Sequence, residues 1–126
     1  EINNISLLLF TSCFFWIIAY DTAYALCDKK DDLGLGINSS ALVFDSNVLP
    51  FFFVLHLVSI FILIYIAYSL NFHPAFYIFA FTCLFLAIYQ CYLIKDQNSS
   101  DCLRAFKNNN WLGLSVFLGS VLGVSL

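Results

Sequence analysis

Charge is what this sequence has least of. Of its 126 residues, 10% are Asp, Glu, Lys or Arg, where a soluble domain carries about 25%. Lys and Arg together number five, the net charge is -3, and no basic cluster exists, which excludes a nucleic-acid partner. Methionine is absent altogether. The first residues, Glu-Ile-Asn-Asn, lack the basic n-region and small-residue cleavage site of a signal peptide, so the first apolar run belongs to the mature fold. A chain that opens this way and runs out inside an apolar stretch reads as a portion of something longer. The five cysteines (Cys13, Cys27, Cys83, Cys91, Cys102) show no CxxC spacing, and three lie in apolar stretches. A disulfide framework or zinc site is therefore not expected, and the thiols read as small hydrophobes. His56 and His73 are too far apart in kind of position, one mid-run and one at a turn, to read as a metal pair.

What the sequence does have is apolar length. Hydrophobic residues make up 62% of the chain, and mean hydropathy is +0.90. Four stretches stand out, over residues 5–27, 48–70, 72–94 and 111–126. Each of the first three has 23 residues, which as helix is about 35 Å and covers a hydrocarbon core of roughly 30 Å. The fourth has 16 and is either cut or short. The expectation is an all-α, multi-pass transmembrane bundle with four spanning helices, its solvent the lipid bilayer. Asn71 alone separates the second and third stretches, and Pro74 suits the first turn of the third, where its missing N–H costs nothing. Asn108, Asn109 and Asn110 are expected to cap the fourth helix. Aromatics, at 19% of the chain, read as lipid-facing and packing surface, with an isoprenoid tunnel left open as an alternative.

All five cations fall near residues 28–47 or 95–110, two connections separated by two spans and hence on one face of the membrane. The positive-inside rule puts that face in the cytoplasm, or in the matrix for a mitochondrial protein. The same face carries the one concentration of chemistry, Asp28-Lys29-Lys30-Asp31-Asp32. If helix runs on to Asp32, steps of about 100° bring Asp21, Asp28 and Asp32 within an arc of about 40°. Asp28 and Asp32 would then be an i, i+4 pair of carboxylates, mutually repelling unless a cation lies between them. That is a seat for Mg2+, which keeps waters and phosphate oxygens beside one or two carboxylates. Asp31 lies roughly 60° to one side, Lys29 on the other, where it could meet phosphate. Asp21 sits about two turns deeper and, being costly at membrane depth, is expected to face the bundle interior. The same five residues also read as a solvated, salt-bridged helix end. The D-x-D-x-D-G order of an EF-hand is absent.

At this point the residues resemble a known family. Tyr20-Asp21-Thr22-x-Tyr24-Ala25-x-x-Asp28-x-x-Asp31-Asp32-x-x-x-Gly36-x-x-Ser39 is similar to the second aspartate-rich motif of the UbiA superfamily, in particular of 4-hydroxybenzoate polyprenyltransferases. Arg104-Ala105-Phe106-Lys107-Asn108-Asn109-Asn110-Trp111-x-Gly113 resembles the AF-x-NNN-x-x-G segment before that family's last helix. The resemblance implies that the chain is the last four helices of a roughly nine-helix bundle. It implies Mg2+-dependent transfer of a polyprenyl group from polyprenyl diphosphate to the ring of 4-hydroxybenzoate, in ubiquinone biosynthesis, at the cell inner membrane or alternatively the mitochondrial inner membrane. It makes Asp28 and Asp32 metal ligands and catalytic residues with Asp21 beside them, and puts Lys29, Asp31 and Tyr24 on the substrate side. The family's first motif, NDxxDxxxD, is absent, so half of the site is missing and the chain alone is expected to be inactive. Asn38 departs from the pattern, where a cation is expected between Gly36 and Ser39. The alternative from a different class is a non-catalytic membrane subunit or transporter piece with Asp21 as an ion or proton relay.

Overall fold

The computed structural model describes residues 3–27, 48–96 and 98–125. They form four α-helices and, among the described residues, no strand: α1 (Asn4–Cys27), α2 (Val48–Ser69), α3 (Ala75–Ile94) and α4 (Ser99–Ser125). The first three are long and apolar enough to cross a membrane. Their bounds match the apolar runs to within three residues.

The helix α4 departs from expectation. It is one helix of 27 residues beginning at Ser99, a dozen positions before Trp111. Its N-terminus is capped by Asn98, whose side-chain oxygen accepts from the Ser100 amide at 3.0 Å and the Asp101 amide at 3.4 Å. Asn108, Asn109 and Asn110 are thus inside a helix and cap nothing. Polarity concealed this: Ser99 to Asn110 reads as a loop by hydropathy, yet Asp101 in the first turn suits the helix dipole. The polar first half is also why α4, unlike the others, is not counted among the spanning helices.

Successive helices run antiparallel, so the α2–α3 turn lies at one end and the start of α4 at the other. The turn is a Schellman motif. Asn71 adopts φ 56°, the left-handed conformation Asn tolerates. The Phe72 amide donates back to Ala67 O at 2.9 Å and the Asn71 amide to Tyr68 O at 3.2 Å. Phe72, just past the turn, folds back on a cluster of Ala67, Phe76 and Ala80. The His73 amide donates to Gly123 O at 2.9 Å, joining the turn to α4, and the His73 ring accepts from the Ala75 amide at 3.1 Å to cap α3. Pro74 stands at the N-cap of α3, one position ahead of the first helical residue.

In lipid, helices gain little by hiding apolar surface from one another, so close backbone approach and interhelical hydrogen bonds hold them together. Small residues accordingly fill the contacts: Ala19, Ala23, Ala67, Ala87 and Ala105 are buried. The most extensive contact is between α3 and α4. A Cβ at Gly119 would come within 2.8 Å of Phe79 Cβ, and one at Gly123 within 2.8 Å of Phe72 Cδ2. Only glycine allows that approach. Large apolar side chains such as Phe10, Phe61, Phe81 and Phe85 point outward from these four helices. Cys83 and Cys102 are buried among apolar neighbours, and no disulfide joins Cys13, Cys83, Cys91 or Cys102.

Candidate functional site

The chemistry available among the described residues lies toward the end that carries Lys95, Arg104 and Lys107. It begins inside the bundle with a chain of hydrogen bonds across three helices. His56 of α2 bonds through Nε2 to Gln90 Oε1 of α3 at 3.0 Å, and Gln90 Nε2 donates to Asn108 Oδ1 of α4 at 3.0 Å. With the Gln90 NH2 directed at Asn108, its oxygen can only accept, so His56 is the donor and carries its proton on Nε2. His56 and Gln90 are fully buried, and the Phe52 ring meets the imidazole edge-on at 4.7 Å. Nearby, Ser12 Oγ of α1 donates to Ser59 O of α2 at 2.9 Å. An unpaired polar group in hydrocarbon costs several kcal/mol, roughly, so these groups hold the helices to one rotation about their axes.

The same logic explains the segment Phe106 to Gly113. Phe106, Asn109 and Gly113 lie within about 60° on one face of α4 by their spacing, and that face meets α1. Trp16 Nε1 donates to Asn109 Oδ1 at 2.9 Å, and the Asn109 NH2 returns to Ala105 O and Phe106 O at 3.3 and 3.2 Å. The Trp16 ring fits beside Gly113, where a Cβ would approach Cη2 to 3.2 Å. Further along, Phe106 packs against Tyr20 and Tyr24, with ring centroids 5.9 and 5.1 Å apart, and Tyr20 meets Trp16 edge-on at 5.7 Å. The three asparagines therefore have three directions: Asn108 to α3, Asn109 to α1, and Asn110 to the surface.

Between α1 and α4 this leaves a cleft of about 360 Å³, lined by Trp16, Tyr20, Phe106, Lys107, Asn109 and Asn110. Aromatic rings make up half of its lining and polar side chains the other half. Arg104, one turn from Lys107, is engaged with Asp101 at 3.4 Å and Tyr89 Oη at 3.2 Å, and Lys95 lies over the Tyr92 ring at 4.3 Å.

Of the residues expected from sequence to form the site, Asp28, Lys29, Asp31 and Asp32 lie outside the described residues. Tyr24 is half-exposed at the rim of the cleft, against Phe106. Asp21 is exposed on the outer side of these four helices. Thr22 and Ala23, with Ala19 and Leu26, take the inward face of α1, and Asp21 falls about 60° beyond Tyr24 on the outward side. Sequence reasoning missed the cleft and the His56–Gln90–Asn108 chain. A buried Gln within an apolar run, at Gln90, was the available signal.

Among the described residues no three His, Cys, Asp or Glu side chains converge on a common point. Fold and site together define a multi-pass helical membrane protein with a partly aromatic cleft between α1 and α4.

The chain belongs to the UbiA prenyltransferase family, whose model matches residues 1–120. It is similar to 4-hydroxybenzoate octaprenyltransferases: 38% identical to that of Photobacterium profundum over 100% of this chain and 44% of the relative. With that of Pasteurella multocida it shares 38% identity over 93% of this chain and 40% of the relative. With that of Polynucleobacter asymbioticus the identity is 42%, over 94% of this chain and 41% of the relative. The chain thus spans about two fifths of the length of these relatives. No solved structure matches it.

Proposed function

We propose that this chain is part of an enzyme that transfers a polyprenyl group from polyprenyl diphosphate to the ring carbon beside the hydroxyl of 4-hydroxybenzoate, in ubiquinone biosynthesis. The observation that carries the reading is the family match across residues 1–120, which takes in the whole acidic segment and the Phe106–Gly113 face. Asp28 and Asp32 would hold Mg2+ against the diphosphate, with Asp31 and Lys29 beside it and Lys29 meeting phosphate as a point charge. When bound, the ion neutralises charge that develops on the departing diphosphate. Asp21, exposed on α1, is taken with them as a catalytic carboxylate. Tyr24 offers a ring face to the allylic cation, worth about 0.5–2 kcal/mol. The ring then takes up the prenyl carbon and loses a proton. Because half of the family's metal site lies outside this sequence, residues 1–126 by themselves should turn over nothing.

The ion-relay alternative has no observation in its favour, since Asp21 takes no part in the interior hydrogen-bonded chain. By the positive-inside rule we infer that the end bearing Lys95, Arg104 and Lys107 faces the cytoplasm from the cell inner membrane. The test is to incubate the intact protein in lipid with polyprenyl diphosphate and 4-hydroxybenzoate, with and without Mg2+. Ring-prenylated product that appears only with the metal is expected; metal-independent product, or prenylation of water alone, would overturn the reading.

A further inference from the structure

Three adjacent asparagines on one helix invite a single explanation, and the structure gives two of them structural work and one none. Asn108 is bonded to Gln90 and Asn109 to Trp16. Among the described residues no hydrogen bond or ion pair engages the side chain of Asn110 or of Lys107, although both line the α1–α4 cleft. They are three apart and so adjacent on the helix surface. Beside them Phe106 of the same helix meets Tyr20 of α1 edge to face, and both rings line the same space.

That combination has a definite complement. Aromatic rings set edge to face favour an aromatic guest, through edge and face contacts worth about 0.5–1.5 kcal/mol each. One free ammonium selects a single negative charge at one end of the guest. One free amide selects a donor or acceptor elsewhere on it. The cleft, at about 360 Å³, is roomy for a single-ring molecule. A diphosphate fits less well, since it carries more charge than one lysine answers and has nothing to lay against aromatic walls.

We propose that the α1–α4 cleft is the seat of the aromatic acceptor. Lys107 takes its carboxylate, Asn110 its ring hydroxyl, and the Tyr20–Phe106 pair lies against the ring. This assignment rests on the reading of the chain as part of an aromatic prenyltransferase, and it adds residues that neither the acidic segment nor the family match assigns to the acceptor. The interior hydrogen bonds then acquire a purpose. By fixing Asn108 and Asn109 they set the rotation of α4, and with it the direction of Lys107 and Asn110.

The test is equilibrium dialysis of the intact protein in lipid nanodiscs with labelled 4-hydroxybenzoate, against empty nanodiscs as the blank. Saturable binding is expected, weakened about tenfold or more by Lys107→Gln, the cost of one charge-assisted hydrogen bond. The uncharged analogue 4-hydroxybenzyl alcohol should compete equally well with the Lys107→Gln variant and the parent, an outcome that general damage to the fold would not give. Asn110→Ala should weaken the acid and the alcohol alike. Hydroxybenzoate binding that ignores Lys107→Gln overturns the assignment, as does displacement by inorganic diphosphate at equal concentration. Absent binding beside Mg2+-dependent transfer sinks the cleft but leaves the enzyme; Lys107-dependent binding without transfer does the reverse.

Discussion

The two ends of this bundle are built on opposite principles. At the α2–α3 turn, shape does the work: Asn71 takes a left-handed backbone, and Phe72 and Phe79 press against Gly123 and Gly119 with no room for a methyl group. Toward the other end, polar groups do it. His56, Gln90, Asn108, Trp16 and Asn109 are matched donor to acceptor, while Lys107 and Asn110 are held back at a cleft. A bundle needs rigidity at both ends, but only the end with spare polar groups can meet a ligand.

That contrast can be broken experimentally. Replacing Gly119 with Val drives a branched side chain into Phe79 Cβ, which cannot yield without its backbone, and should destabilise the bundle by about 1–3 kcal/mol. Reversible unfolding in mixed micelles would measure it, and the surviving folded fraction should keep its full affinity for 4-hydroxybenzoate. Gln90→Leu removes both bonds of the interior chain and leaves His56 and Asn108 without partners. Its cost to stability should be smaller, about 1 kcal/mol, because membrane interiors offer alternative partners. Its effect on binding should nonetheless exceed that of Gly119→Val, since α4 loses the rotation that aims Lys107. Equal binding loss in the two variants would dissolve the distinction between the ends.

The division was only partly legible in the sequence. The spans of α1, α2 and α3 were, because apolar length is a property of each segment alone. The turn was legible from Asn71 and Pro74 for the same local reason. The start of α4 was not: polar residues from Ser99 to Asn110 belong to a helix because their partners sit on α1 and α3, and hydropathy carries no record of partners. Asn109 resembles a cap in sequence and is an interhelical bond in space, with Trp16, 93 positions away. The direction of Asp21 was not legible either, since its cost in lipid says that it must be satisfied but not on which side of α1. The acidic residues Asp28 and Asp32 were read from spacing and resemblance, and they remain the centre of the functional proposal.

The central claim, that catalysis belongs to Asp28 and Asp32, is tested most directly by the rate of diphosphate release from polyprenyl diphosphate. The rate should be measured per folded molecule of the intact protein, for Asp28→Ala and Asp32→Ala. Each variant should lose about 100-fold or more, the scale set by removing one preorganised stabiliser of developing charge, with unfolding unchanged. Near-normal release in either variant would contradict the account.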